Sequence, residues 1–363
     1  MREIGISIYP EQSSFKNNLD YLKKSANLGF KILFLSVLQF DENNFLKYQE
    51  NYFQLIEEAK KLGFYIILDV ADGAFKLFKC DINNLEPFAK LGVNCLRLDA
   101  PLLPSQVALA TYNEFKIDIQ INMSNNDSFI NNILDFKPIK NKLSGSHNFY
   151  PLEDSGLPLA FFIDSSKRYK KFNLTTMAFV GSKNDNQGPV PEAQKLVTLE
   201  NHRKLEIEIQ AKHLFATNLI DWVIIGNAFA SDEELIALSQ LQREYISFKI
   251  DLPKNQLFEI ENKILFDNLH FRRGDISEFV IRSTSVRPKY KDFKIQPTRL
   301  KKVFQRGDVV ILNDNANHYK GELQIILKDN YLDKDQKFNF IENLADQVAI
   351  LDYIEPWTKF IFY

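Results

Sequence analysis

Short apolar runs recur along the first two thirds of the chain, at residues 4–9, 32–37, 65–70, 95–98, 117–122, 139–143, 175–180 and 222–226. They are rich in Ile, Leu, Val and Phe and nearly continuous rather than alternating. That is the pattern of strands buried on both faces, as in a parallel sheet. Segments of helical periodicity separate them. Residues 18–28 stop at Gly29 and residues 45–62 at Gly63, each a C-cap signal. Residues 198–216 carry apolar side chains at helical spacing, and residues 232–241 follow Ser231, with Glu234 completing a capping box. Eight such units in about 240 residues match a (β/α)8 barrel in count and length. An open doubly wound sheet usually has a glycine-rich turn after its first strand. Here Tyr9-Pro10-Glu11-Gln12-Ser13 contains no glycine.

After Gln242 the pattern changes. Residues 245–252, 279–285, 309–313, 323–327 and 348–354 alternate, separated by turns such as Arg273-Gly274-Asp275, Arg306-Gly307-Asp308 and Lys320-Gly321-Glu322. No long helical pattern interrupts them. The chain therefore reads as an α/β TIM barrel over residues 1–242, followed by a mostly antiparallel β domain over residues 243–363. The short connection predicts that the two pack closely.

Composition narrows the function classes. The 363 residues are 45% apolar and 25% charged, with a net charge of -2. That balance argues against nucleic acid or an anionic membrane as a general partner, while leaving room for a local site that takes one small anion. The two cysteines are too few for a disulfide framework or a structural zinc site. No apolar segment reaches the roughly 20 residues that span a bilayer. Met1-Arg2-Glu3 runs directly into a strand pattern, with no basic-then-apolar leader. A cytoplasmic protein is expected; oligomeric state is left open.

Barrel enzymes carry their chemistry at the C-terminal ends of the strands. That rule nominates Tyr9 after the first strand, Asp69 after Ile66-Ile67-Leu68, Asp99 after Leu96-Arg97-Leu98, and Asn122. It also nominates His147, Asn148 and Tyr150 in Gly145-Ser146-His147-Asn148-Phe149-Tyr150-Pro151, read as the loop that follows a strand at 139–143. One aspartate after a strand is most simply a salt bridge, as Asp99 with Arg97 would be. Two on adjacent strands at one barrel end point to acid–base work, because close carboxylates push their pKa values apart. Glu200 and His202 open the helix that follows a long loop rich in Gly, Pro, Asn and Gln, and Glu192 lies within that loop. Five histidines with no His-x-x-x-His or His-x-His pair argue against a metal, and no cofactor is expected. In the β domain, Arg282 and Arg287 flank Ser283-Thr284-Ser285, donors suited to a phosphate or carboxylate.

Several of these runs resemble the bacterial 6-phospho-N-acetylmuramidase family. They are Ile4-Gly5-Ile6-Ser7-Ile8-Tyr9-Pro10, His147-Asn148-Phe149-Tyr150-Pro151, Thr198-Leu199-Glu200-Asn201-His202-Arg203, Ile281-Arg282-Ser283 and Gly321-Glu322-Leu323-Gln324-Ile325. The resemblance covers essentially the whole chain, in order. It implies a TIM barrel followed by a cyclophilin-like β domain. It also implies hydrolysis of 6-phospho-N-acetylmuramyl-β-1,4-N-acetylglucosamine to N-acetylmuramic acid 6-phosphate and N-acetylglucosamine, inside the cell, in peptidoglycan recycling. The chain departs from the family pattern at three places. Leu152-Glu153-Asp154 stands where an Arg follows the histidine run. Ala71-Asp72-Gly73 replaces Ser-Pro-Arg, and Ala100-Pro101-Leu102 replaces Tyr-Gly-Phe.

On this reading two carboxylates hydrolyse a glycoside. Asp69 and Asp99 are the leading pair, with Glu200 and Glu192 as substitutes. Tyr9, Asn122, His147, Asn148, Tyr150 and His202 would position the phosphorylated muramyl disaccharide, and Arg282 and Arg287 would bind its phosphate. Which carboxylate is the acid stays open, as does retention against inversion. Two other classes also remain open: a phosphosugar-binding protein on a degenerate barrel, and a phosphosugar isomerase or lyase.

Overall fold

A computed structural model describes residues 2–99, 102–184, 187–189, 195–252 and 256–363. It divides into two compact units, Met1–Gln240 and Leu241–Tyr363. The first is a closed barrel of eight parallel strands in sequence order. They are β1 (Glu3–Ser7), β2 (Ile32–Ser36), β3 (Tyr65–Val70), β4 (Cys95–Leu98), β5 (Asp118–Asn122), β6 (Leu143–Ser146), β7 (Thr175–Val180) and β8 (Trp222–Ile225). β1 closes the ring on β8, with Ile4 opposite Val223 and Ile6 opposite Ile225.

The barrel is filled, not hollow. Ile32, Phe34, Ile67, Cys95, Met177, Phe179 and Ile224 form one buried cluster, with Tyr65, Trp222 and Phe149 packed against it. Phe179 meets Phe34 and Phe149 edge-to-face at 5.1 and 5.0 Å between ring centres. Such pairs add about 0.5–1.5 kcal/mol each beyond the area they bury.

The outer helices end where the glycines predict: Phe15–Asn27 runs into Leu28 and Gly29 (φ +83°), and Glu42–Lys61 into Gly63 (φ +80°). The Ser231–Glu234 capping box opens Asp232–Ser239. Glu234 also accepts hydrogen bonds from Ser182 Oγ and Lys183 N, tying the loop after β7 to this helix.

Two expectations in the barrel shift. Residues 139–143 are not a strand: Lys140–Lys142 make one 3-10 turn and β6 starts at Leu143. Polar Lys140, Asn141 and Lys142 cannot line a strand buried on both faces, whereas small Ser144, Gly145 and Ser146 can. Residues 198–216 are not one helix either. Glu200–His202 form a 3-10 turn, and the helix Ile207–Ala216 begins after an extended Glu206. The amides of Thr198 and Glu200 instead donate to Phe179 O and Leu157 O, which folds this stretch onto the strand ends.

Among the described residues, the second unit holds three sheets built mostly from antiparallel pairs. Its strands are β9 (Ile246–Phe248), β10 (His270–Phe271), β11 (Val280–Ser283), β12 (Val303–Phe304), β13 (Asp308–Leu312), β14 (Leu323–Ile326), β15 (Tyr331–Leu332), β16 (Phe338–Asn343) and β17 (Lys359–Phe362). The largest sheet has the order β11-β14-β13-β16; β10-β17-β9 contains one parallel pair, β17 with β9. Residues 348–354 are not a strand: 348–353 belong to the 3-10 segment Ala345–Tyr353 and Ile354 caps it. There Gln347 bonds both N and O of Lys249 at 2.9 Å, so a side chain takes the place of a strand neighbour. A short helix that the alternation concealed, Glu259–Phe266, is anchored by buried Glu261, which accepts from Phe258 N and Asn339 Nδ2 and pairs with Arg299.

Candidate active site

Strand periodicity sets the site. Phe34, Ile67 and Cys95 belong to the barrel core, and the residues two further on point the same way, one layer nearer the C-terminal ends. Those residues are Ser36, Asp69 and Arg97. In register Ser36 lies opposite Asp69, Asp69 opposite Arg97, and Arg97 opposite Gln120. The core thus gives way to a polar rung. Asp69 and Arg97 are both almost fully buried and form an ion pair at 2.5 Å. Burial raises the Asp69 carboxyl above its ordinary range, against the pull of Arg97, and nearby Asp99 adds to the rise. Asp99 itself is exposed, one residue past β4, with its amide bonded to Val70 O.

Gly145-Ser146-His147-Asn148-Phe149-Tyr150-Pro151 is therefore half strand, half loop. Gly145 lies within β6, where a Cβ would sit 2.6 Å from the Tyr169 ring. His147 is fully buried, with Nδ1 3.2 Å from Ser124 Oγ and Nε2 2.9 Å from Ser166 Oγ. Burial pushes its pKa down to about 3, so the ring is neutral. Ser124 Oγ also accepts from Asn148 N. Asn148 Oδ1 in turn accepts from Arg97 Nη2, while Asn148 O accepts from Thr198 Oγ1. Tyr150 is half-buried; burial raises its phenol, and Ser124 and Arg97 oppose the rise from close by. Asn122 Oδ1 accepts from Ser124 N, the loop-tying role open to it from sequence.

The other candidates sit differently. Tyr9 is fully buried and its hydroxyl donates to Gly226 O at 2.6 Å, which makes it part of the wall. Glu200 is gripped by Arg203 Nε and Nη2 at 2.6 and 2.7 Å and by the amides of Asp154 and Gly156. The Arg203 bonds hold its carboxyl down to about 2. His202 is buried with Nε2 2.7 Å from His213 Nδ1, and burial drives it well below its ordinary pKa. Glu192 lies outside the described residues. Among the described residues no three His, Cys, Asp or Glu side chains gather as metal ligands.

The model for "6-phospho-N-acetylmuramidase, N-terminal" matches residues 4–240, and the model for "6-phospho-N-acetylmuramidase, C-terminal" matches residues 246–363. The chain belongs to the 6-phospho-N-acetylmuramidase family. An uncharacterized B. cereus protein of known structure is 39% identical, covering 100% of this chain and 99% of its own, with a TM-score of 0.90. A conserved Enterococcus faecalis protein of unknown function is 26% identical over 99% of this chain and 96% of its own, with a TM-score of 0.72. No curated protein matches the chain.

Two of the expected departures from the family pattern fall on described residues. Ala71 precedes the short helix Asp72–Leu77, and Leu152-Glu153-Asp154 lies in the loop whose Asp154 amide docks on Glu200. Ala100 and Pro101 lie outside the described residues. In the second unit, Arg282 Nε is 2.9 Å and Arg287 Nη1 3.6 Å from the fully buried Glu322, and both guanidinium groups lie over the ring of Tyr319. Two cations thus face one carboxylate.

Three groups escaped the strand-end rule. Arg97 offers itself from sequence only as a partner for Asp99, yet its buried Nε has no hydrogen-bond partner among the described residues. Ser124 links His147, Asn148 and Tyr150. Glu11, in the turn after β1, accepts from Gln39 Nε2 and Tyr52 Oη at 2.6 Å each, and burial raises its carboxyl. Glu11 stands a few residues past the strand, where the rule used for Asp99 could have found it.

Proposed function

We propose that the chain hydrolyses 6-phospho-N-acetylmuramyl-β-1,4-N-acetylglucosamine, releasing N-acetylmuramic acid 6-phosphate and N-acetylglucosamine. The observation that carries this reading is the family match across both units, residues 4–240 and 246–363. The barrel supports it with an accessible carboxylate, Asp99, beside a buried Asp69–Arg97–Asn148 chain. In this reading Asp99 acts at the anomeric carbon, directly or through water or the substrate's N-acetyl oxygen. Asp69 does not meet the sugar. It holds Arg97, which orients Asn148 and Tyr150 toward it. Asn122 lends its amide, while His147, Tyr9, His202 and Glu200 position loops and walls. Arg282 and Arg287, two guanidinium groups that share a single carboxylate in the second unit, have the charge and donors that suit a phosphate dianion. The phosphate on the substrate places the reaction after a phosphorylating uptake step, hence in the cytoplasm and in peptidoglycan recycling.

Incubation with phosphorylated and unphosphorylated muramyl disaccharide, followed by mass spectrometry, tests it. Release of N-acetylglucosamine from the phosphorylated form alone is expected. Binding without turnover would support a sugar-binding protein, and a product that has not gained the elements of water would support an isomerase or lyase.

A further inference from the structure

Carboxyl groups at this end of the barrel differ in what holds them. Asp69 is clamped by Arg97, and Glu200 by Arg203. Each is paired with a guanidinium cation. Glu11 is held by neutral donors: Gln39 Nε2 on Oε1 and Tyr52 Oη on Oε2. No cation pairs with it among the described residues. The titratable groups around it are Tyr52, from the helix Glu42–Lys61, and Tyr9, from the turn it shares. Tyr52 Oη also lies 3.0 Å from Ser36 O, and Ser36 belongs to the polar rung, so one side chain joins Glu11 to it.

We infer that Glu11 is the general acid that protonates the departing N-acetylglucosamine oxygen. The inference rests on the hydrolase reading above. Glycosidases need one carboxyl kept neutral and one kept ionised. Partial burial without a counter-ion favours the neutral form at Glu11. Its cradle also suits both states. Tyr52 Oη lies 2.6 Å from Glu11 and 3.0 Å from Ser36 O, so its proton has two acceptors. It donates to Glu11 when the carboxylate forms and to Ser36 O when the carboxyl is protonated. In the reaction the Glu11 proton passes to the bridging oxygen as the C1–O bond breaks and its electron pair moves to that oxygen. N-acetylglucosamine leaves as the alcohol. Glu11, left as carboxylate, regains a proton from the water consumed at C1.

The test compares two substrates on the full-length chain: the phosphorylated disaccharide, whose leaving group needs a proton, and 4-nitrophenyl 6-phospho-N-acetyl-β-muramide, whose leaving group does not. Glu11→Gln should lower kcat/KM on the disaccharide by about 10^3-fold, within the usual 10^2–10^4 of general acid catalysis. On the nitrophenyl substrate it should lower it less than about tenfold, because acid assistance is not required there. The alkaline limb of the disaccharide pH profile should vanish. Tyr52→Phe removes a donor that favours the carboxylate, so it should move that limb to higher pH. Equal loss on both substrates with the limb in place, or a Tyr52→Phe limb that does not move, overturns the assignment. If Glu11→Gln retains wild-type disaccharide turnover, only the Glu11 role fails. If wild type cleaves neither substrate, the hydrolase reading fails and this role with it.

Discussion

Removing the Arg97 guanidinium tests the polar rung most directly. Arg97 and Asp69 are each 4% exposed and 2.5 Å apart, so Arg97→Met leaves a buried carboxylate without its counter-ion. Breaking such a pair from one side costs about 3–5 kcal/mol. The carboxyl can escape by taking a proton, and that sets a ceiling. From an unfolded pKa of about 3.9, neutralising it costs at most about 4 kcal/mol at pH 7 and about 1.5 kcal/mol at pH 5. The sign follows from linkage. In the variant the folded pKa of Asp69 lies further above its unfolded value, so stability is greatest in acid and is lost as pH rises through that folded value. Arg97→Met should therefore be destabilised by about 3–4 kcal/mol at pH 7, with about 2 kcal/mol recovered at pH 5 relative to wild type. The assay is urea unfolding followed by fluorescence. A Trp357→Phe background leaves Trp222, on β8, as the single tryptophan reporter. The double variant Asp69→Asn/Arg97→Met should lose the pH dependence. A loss under about 1 kcal/mol at pH 7, or an equal loss at both pH values, would refute the buried-charge account.

Two further outcomes separate chemistry from scaffolding. Asp99→Asn alters an exposed side chain, so its melting temperature should match wild type while disaccharide turnover falls by about 10^2-fold or more, read by product mass spectrometry. Glu200→Gln should do the reverse: hydrolysis persists, and stability at pH 7 falls by about 1–2 kcal/mol as the Arg203 pair is lost. Glu200 is depressed to about 2, so its contribution is present above its unfolded value and disappears as pH falls toward 2. Urea curves of variant and wild type should therefore converge in acid.

Most of the barrel was legible because a strand buried on both faces has almost no freedom of composition. Ile32–Ser36, Tyr65–Val70, Cys95–Leu98 and Thr175–Val180 all fall within or on the predicted runs. The misplaced elements fail for particular reasons. β6 is Leu-Ser-Gly-Ser, small and polar because Tyr169 presses on Gly145, so no apolar run marks it. The stretch before Ile207 has helical spacing but spends its amides on Phe179 and Leu157, a tertiary demand that periodicity does not carry. Residues 348–354 alternate by composition, yet the ladder bonds they would have made come from the Gln347 side chain.

The site was legible in position and not in role. The strand-end rule selects residues by where the chain emerges, and it brought Asp69, Asp99, Asn122 and Asn148 to the same end of the barrel. Role depends on the partner, which is far off in sequence. Asp69 meets Arg97 across 28 positions, and His147 meets Ser124 across 23. Glu200 and Arg203 are the exception: they sit three apart, close enough for the pair to be read from sequence. The carboxyl groups at this end of the barrel differ in their counter-ions. A carboxylate paired with a buried guanidinium, as Asp69 is with Arg97, cannot be neutralised without leaving that cation unpaired. One held by a phenol and an amide, as Glu11 is, can be neutral or charged without leaving a buried cation behind. An exposed one, as Asp99 is, can reach a substrate. On the proposal above, the acid–base division that two adjacent strand-end aspartates suggested is carried by Asp99 and Glu11, while Asp69 holds Arg97 at the top of the barrel core.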